Sequence, residues 1–440
     1  MTESRKTAST SLSLWQAMRY WLRLGFVSFG GPGGAIGIMH LELVERLRWI
    51  SERRFLHALN YTMVLPGPEA QQLATYIGWL LHGKLGGLIA GILFVAPSLL
   101  MIVALAWLYL EFGEISWVAA LLYGVKPAVT AVIFYAIWRI GRRVMRNVLL
   151  WMVMLAAFVG LYVFHLPFPL IIISAGVLGW LVHHAKPAWV APPDAETTVM
   201  HEDGFVSVLS ITRRGIFWLC VVGAALWAGV YAAAHLIDDS GTLTDMSVFF
   251  SKAAVLSFGG AYAVLPYVYQ SAVEHFQWIT ATQMIDGLAL RELIPGPLVM
   301  ITSFVGFVGG WEGQFLGPDR IMEAGVLAAA VAAWYTFLPS FLFIFIGAPY
   351  IEQTRNRPAF TAPLTAITAA VVGVMLNLGV TFAGHVVWTH GWEAPPDWNM
   401  VLMTGLALLA ISAGRVPVVP VLITCALTGV LLTELASVSG

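Results

Sequence analysis

Long apolar stretches separated by short polar loops dominate this chain. Nine of them, near 86–110, 115–138, 148–164, 166–182, 215–237, 325–350, 363–389, 398–413 and 416–433, approach or pass the roughly 20 residues an α-helix needs to cross a bilayer. None alternates apolar and polar positions with a period of two, so they predict helices and not the strands of a membrane barrel. The apolar regions 14–45, 54–82, 244–275 and 283–311 differ, because Gly and Pro interrupt them. Within the second, the arms 54–65 and 69–82 would be about 18 and 21 Å long as helices, short of a roughly 30 Å hydrocarbon core. Pro66 and Pro68 remove two backbone donors between those arms, and Gly67 frees the chain to turn. Irregular backbone at membrane depth is tolerated only where it is buried in protein or lines a wet cavity.

The interruptions recur. Ser28-Phe29-Gly30-Gly31 returns as Ser257-Phe258-Gly259-Gly260, and Pro66-Gly67-Pro68 as Pro295-Gly296-Pro297, both 229 positions later. Glu45 and Trp49-Ile50 fall on Glu274 and Trp278-Ile279 in the same register. Pro97-Ser98 falls on Pro339-Ser340 at an offset of 242, so an insertion of 242 − 229 = 13 residues is expected near Trp311 to Glu323. Duplicated apolar halves with paired Gly/Pro breaks mark secondary transporters, whose site lies where the breaks meet. The expected fold is an all-α polytopic membrane protein: two inverted-topology repeats with broken or re-entrant helices, joined by a linker helix. The expected divisions are a cytoplasmic tail at 1–13, a first repeat at 14–184, a cytoplasmic loop and linker helix at 185–243, and a second repeat at 244–440.

Composition agrees. The chain is 59% hydrophobic and only 11% charged, where a soluble domain carries about 25% charge. No cleavable leader is evident, and Cys220 and Cys425 sit in apolar runs, so neither a disulfide nor a metal is expected. A net charge of −1 gives no reason to expect nucleic acid. Basic loops choose the orientation: Arg5 and Lys6, then Arg46, Arg48, Arg53 and Arg54, then Arg139, Arg142, Arg143 and Arg146, with Arg355, Arg357 and Arg415 later, all prefer the cytoplasm. With the N-terminus and the 46–54 loop on one side, region 14–45 enters and leaves as a hairpin. Each half then makes four crossings, the linker helix makes one, and the halves are inverted. Arg320 alone falls on the wrong side.

A half-helix starting at Pro68 leaves the N–H groups of Ala70, Gln71 and Gln72 free and points its positive end at the break, which suits an anion. Leu298, Val299 and Met300 after Pro297 offer the same. Gly30, Gly31, Gly67, Gly259, Gly260 and Gly296 let a ligand approach the backbone. Arg23 and Lys252 occupy equivalent positions 229 apart and are expected to form a cationic clamp; the alternative is snorkelling to the headgroups. Lys126 lies deep in the 115–138 span, where an unpaired charge costs roughly 2.5–3.5 kcal/mol or more, so it too is a binding candidate. Glu69, Glu292 and His40 are the proton-coupling candidates, with His57 and Asp286 also near the breaks. Arg291 could serve the second break or pair with Glu292. No metal-ligand spacing and no nucleophile elbow occurs, so no enzyme activity and no cofactor are expected.

The segments FVSFGGPGGAIGIMH, ERLRWI and LPGPEAQQLATYIGWLLHG resemble the first half of the chromate ion transporter family. LSFGGAYAVLPYV, WITATQMIDGLAL and PGPLVMITSFVGF resemble the second half of its long, two-domain form, and GVKPAVTAV brings Lys126 into the pattern. The resemblance implies an inner-membrane transporter of chromate or a similar tetrahedral oxyanion, linked to chromate efflux and resistance. Its implied partners are that anion and the lipid bilayer, with a homodimer open. Ala35 stands where the family often has Gln, and Leu293 and Ile294 where two threonines often stand, which bears on substrate preference. A sulfate-like importer and an anion channel are the alternatives.

Overall fold

Helix periodicity without alternation becomes helix throughout. The computed structural model describes residues 12–185, 213–258, 260–354, 358–388, 393–414 and 416–439. The expectations placed on the first residues of the tail, on most of the 185–214 loop and on Gly259, Arg355, Arg357 and Arg415 lie outside them. In the first half the helices are α1 (Leu14–Val27), α2 (Gly31–His40), α3 (Glu52–Thr62), α4 (Glu69–Phe112), α5 (Ser116–Val144), α6 (Val148–Tyr162) and α7 (Phe168–Ala185). The linker is α8 (Arg213–Ile237). The second half has α9 (Thr242–Leu256), α10 (Leu265–Tyr269), α11 (Ala281–Glu292), α12 (Ile301–Gly313), α13 (Ile321–Thr354), α14 (Pro358–Val387), α15 (Trp398–Ser412) and α16 (Val418–Ser439).

Among the described residues, seven helices are long and apolar enough to cross a membrane. The expected spans at 148–164 and 398–413 are α6 and α15, shorter at 15 residues each, or about 22 Å. Asn147 and Asp397 stop these two helices early at their N-termini, accepting hydrogen bonds from Leu150 N–H (3.0 Å) and Asn399 N–H (3.0 Å). Large apolar side chains such as Leu100, Val148, Leu155, Leu402 and Leu431 point outward, as a lipid-facing surface requires.

The duplication is legible in the backbone. The π-helical turns Leu41–Arg46 and Gln270–His275 lie 229 apart, as do the caps Ser51 and Thr280 of α3 and α11. Arg48 (φ 53°) and Gln277 (φ 54°) share an unusual left-handed conformation at the same offset.

At each break the chain folds back beside itself. Tyr20 and Trp49 have ring centroids 5.2 Å apart, and their counterparts Phe249 and Trp278 are 5.8 Å apart. Gly287 of α11 packs on the Phe304 ring of α12, although a straight helix would separate them by about 25 Å. Tyr61 and Tyr76 meet likewise, at 5.2 Å. The chain therefore folds into a helical hairpin at each of the four breaks, which form the hairpin tips. The expected helices 69–82 and 86–110 are the two arms of α4, separated by non-helical backbone at His82 and Gly83 where the chain reverses sharply. Gly78 against Ala90, and Gly91 against the Thr75 side chain, allow its two arms to touch. In the second half the insertion at Gln314–Arg320 takes the place of that tight reversal between α12 and α13.

The last two helices of each half cross over. α6 and α7 pack on α14, and α15 and α16 pack on α5. Small residues make these contacts close: Gly373 lies on the Met154 carbonyl, and Gly124 on Gly429. α8 stays at the edge, with 6% of its apolar window buried.

Candidate functional site

The four tips meet. The N–H of Gly67 donates to the carbonyl of Ser257 at 3.2 Å, and the N–H of Gly296 donates to the carbonyl of Ser28 at 2.9 Å. These are the same bond made twice between equivalent residues, as a two-fold relation demands. Gly67 (φ 124°) and Gly296 (φ 108°) hold conformations that favour glycine. A Cβ on Gly67 would sit 2.6 Å from Ser340 Oγ, and one on Gly296 would overlap Ser98 Oγ, the equivalent serine of the other half. Ser98 donates to the Pro295 carbonyl at 2.5 Å.

Side chains distinguish the tips. At the first, Gln72 Nε2 donates to the Pro66 carbonyl at 2.7 Å. Gln71 Nε2 donates to Thr75 Oγ1 at 3.0 Å. The oxygens Gln71 Oε1, Gln72 Oε1, Ser340 Oγ and Ser28 Oγ are buried with no hydrogen-bond partner among the described residues. Unsatisfied buried polar atoms are costly, so this junction has hydrogen-bonding capacity to spare: acceptors at the two Gln oxygens, donors or acceptors at the two hydroxyls. At the second tip, Arg291 donates from Nε to the Pro297 carbonyl (3.0 Å), from Nη1 to Ile294 (2.9 Å) and from Nη2 to Gly296 (2.6 Å). That guanidinium is spent on backbone, so it staples the loop. Leu298, Val299 and Met300 follow it and are buried and apolar.

The free backbone donors differ from expectation by one residue. Pro68 is the N-cap of α4, so Gln72 N–H already donates to the Pro68 carbonyl at 3.0 Å. The unpaired N–H groups are those of Glu69, Ala70 and Gln71. At the second tip a 3₁₀ turn engages Met300 N–H with the Pro297 carbonyl (3.1 Å), leaving Leu298 and Val299.

Of the acidic candidates, Glu69 and Glu292 come to the junction. Glu69 Oε1 lies 3.3 Å from where a Gly260 Cβ would be, so the first α4 arm reaches the second Gly-Gly break. Glu292 is buried and accepts from Tyr262 Oη at 3.2 Å. His40 lies elsewhere, between Glu45 (3.3 Å) and Glu52 (3.9 Å). Gly30 and Gly31 turn the first break into α2, both with positive φ.

The basic candidates separate too. Arg23 is 65% exposed and 3.8 Å from Glu42, and Lys252 is exposed, so neither is buried at the tips. Their matching positions follow the repeated helix, and both side chains are exposed. Lys126 is 3.5 Å from Asp286, which is buried and also accepts from Tyr109 Oη at 3.0 Å. This pair joins α5, α11 and α4, and explains how a deep lysine is tolerated. Arg139, expected in a cytoplasmic loop, is half-buried within α5. It lies within electrostatic reach of Glu69, Glu292 and Tyr262. Sequence reasoning missed it because it opens a run of arginines that reads as a loop.

Comparison with known proteins now adds to this geometry. The family model described as chromate transporter matches residues 15–180 and 244–430, which takes in all four tips. The chain belongs to the chromate transporter family. A chromate transport protein of Pseudomonas aeruginosa is 32% identical to this family member, over 97% of this chain and 95% of its own. The chromate transport protein of Cupriavidus metallidurans is 31% identical over 84% of this chain and 83% of its own. A probable chromate transport protein of Synechococcus elongatus is 30% identical over 90% of each chain. No solved structure matches this member of the family.

Proposed function

We propose that this protein carries chromate, or a tetrahedral oxyanion like it, out of the cell across a bacterial-type inner membrane. The observation that carries the reading is the reciprocal pair of bonds Gly67–Ser257 and Gly296–Ser28, which joins the four breaks in two pairs, together with the packing of the turns Ala261–Val264 and Leu298–Met300 that joins the pairs. The anion sits there, taking hydrogen bonds from the free N–H groups of Glu69, Ala70 and Gln71 and from the open hydroxyls of Ser28 and Ser340. The two repeats run in opposite senses through the membrane, and alternating access opens the junction to each side in turn. One chain supplies all four tips, so the site needs no second copy.

Charge decides direction. With the inside negative by 100 mV, a departing dianion gains about 4.6 kcal/mol, at roughly 2.3 kcal/mol per charge. Each proton carried with it cancels about 2.3 kcal/mol of that. Glu69 and Glu292 at the junction favour the second reading, proton-linked import of a sulfate-like anion. A dianion and two ionised carboxylates repel in a shared low-dielectric site, so those carboxyls would bind protons together with the anion. Uptake of radiolabelled chromate into inverted vesicles, with an imposed potential, an imposed pH gradient and sulfate competition, separates the two. Efflux predicts accumulation driven by potential alone. No accumulation above empty vesicles would end the efflux reading, and accumulation that follows the pH gradient would favour import.

A further inference from the structure

A dianion in the membrane interior needs more than amide dipoles, because an unpaired charge there is costly. The cations available to the junction can be counted among the described residues. Arg23 and Lys252 face outward. Lys126 is held by Asp286. Arg291 has donated to three carbonyls of its own loop. Arg139 remains. It is half-buried on α5, forms no ion pair with any described residue, and has its guanidinium carbon 5.9 Å from the centre of the Tyr135 ring.

The helix that carries it packs beside the elements of the junction. α5 packs on α11 and α14, and the 3₁₀ turn Ala261–Val264 packs on α14 and on the turn after Pro297. Glu69 comes from the first α4 arm, Tyr262 from the turn after Gly260, and Glu292 from the end of α11. These three share Arg139 as a common electrostatic neighbour, and Tyr262 bonds Glu292 while Glu69 lies against Gly260.

We infer that Arg139 is the anion-binding cation of the junction, a specificity residue that selects tetrahedral dianions. The inference rests on the oxyanion reading above. Without the anion, the Glu69 and Glu292 carboxylates balance the guanidinium from a distance. With it, the planar fork donates to two anion oxygens, and the backbone N–H groups of the α4 start take the others. The arginine also separates dianions from monoanions of the same shape, because the attraction scales with ligand charge.

The test uses the full chain in proteoliposomes, with labelled chromate flux competed by sulfate, a dianion, and by perchlorate, a tetrahedral monoanion. Arg139→Gln is expected to raise the chromate KM about 10- to 100-fold, the range for a charged hydrogen bond. Sulfate should lose potency relative to perchlorate, which a merely structural role would not produce. Arg139→Lys should recover part of the affinity, since a point charge replaces the fork. If Arg139→Gln does not fold, Arg139→Cys in a Cys220→Ser, Cys425→Ala background gives a second route. Modification with a cationic methanethiosulfonate should restore sulfate-sensitive flux, and a neutral reagent should not. A Gln variant with wild-type KM and wild-type sulfate-to-perchlorate ratio overturns the assignment and leaves the transporter reading standing. A wild-type protein that moves no oxyanion sinks both.

Discussion

The two Pro-Gly-Pro tips share a backbone and differ in chemistry. Each glycine donates to a serine carbonyl of the opposite half, and each meets a serine from the other half's long arm. Beyond that they diverge. The first tip carries Glu69, Gln71 and Gln72, with polar atoms left open; the second carries Leu298, Met300 and Ile301, with Arg291 closing its carbonyls. Duplication fixed the turn, whose geometry depends on glycine and proline. It left the side chains free to specialise, so that one tip keeps polar atoms open and the other ties down its own carbonyls.

That contrast can be broken most severely at Arg291. Arg291→Met leaves up to three buried carbonyls unpaired, at about 1–3 kcal/mol each, and should abolish monodisperse folded protein in detergent. The equivalent Thr62 bonds only Leu59 of its own helix, so Thr62→Val should cost about 1 kcal/mol and leave the protein monodisperse. Equal loss in both variants would erase the distinction between frame and site.

Next in size is the buried Lys126–Asp286 pair, which bridges the halves and has no counterpart in the repeat, since Thr368 and His57 stand at the equivalent positions. Asp286→Asn strands Lys126 and should cost about 3–5 kcal/mol, read as a lower midpoint of thermal unfolding. Adding Lys126→Met should recover most of it; no recovery in the double variant would mean that the two charges act separately.

Smaller effects sharpen the ligand side. Ser340→Ala, which removes an open hydroxyl at the first tip, should weaken chromate affinity about 2- to 12-fold with unchanged melting. Met300→Leu, in the apolar second tip, should leave affinity as it was. Smallest of all, Arg23→Ala and Lys252→Ala should change flux less than about twofold, because exposed pairs contribute about 0–1 kcal/mol. A large loss there would return the outward cations to the binding step.

The breaks were legible in the sequence because they are made of residues whose backbone behaviour is local: Gly30, Gly67, Pro68 and their repeats declare a turn without help from neighbours. The register of the repeat likewise located the insertion between α12 and α13. Which charges are buried was not legible, since that depends on which face of a helix is covered. Arg23 and Lys252 match in sequence, yet both are exposed. Arg139 sits one turn before a basic loop and looks like part of it, and only the packing of α5 on α11 and α14 draws it inward. Arg291 was visible as a charge beside the break, but three carbonyls in hydrogen-bond reach are a property of the folded loop.

The crossing of α6 and α7 onto α14, and of α15 and α16 onto α5, constrains how the molecule can work. Two blocks clasped at the wrists cannot swing apart without tearing both grips. Whatever moves during a transport cycle must therefore slide or tilt along a seam between the hairpin group and the clasped helices, leaving the handshake intact.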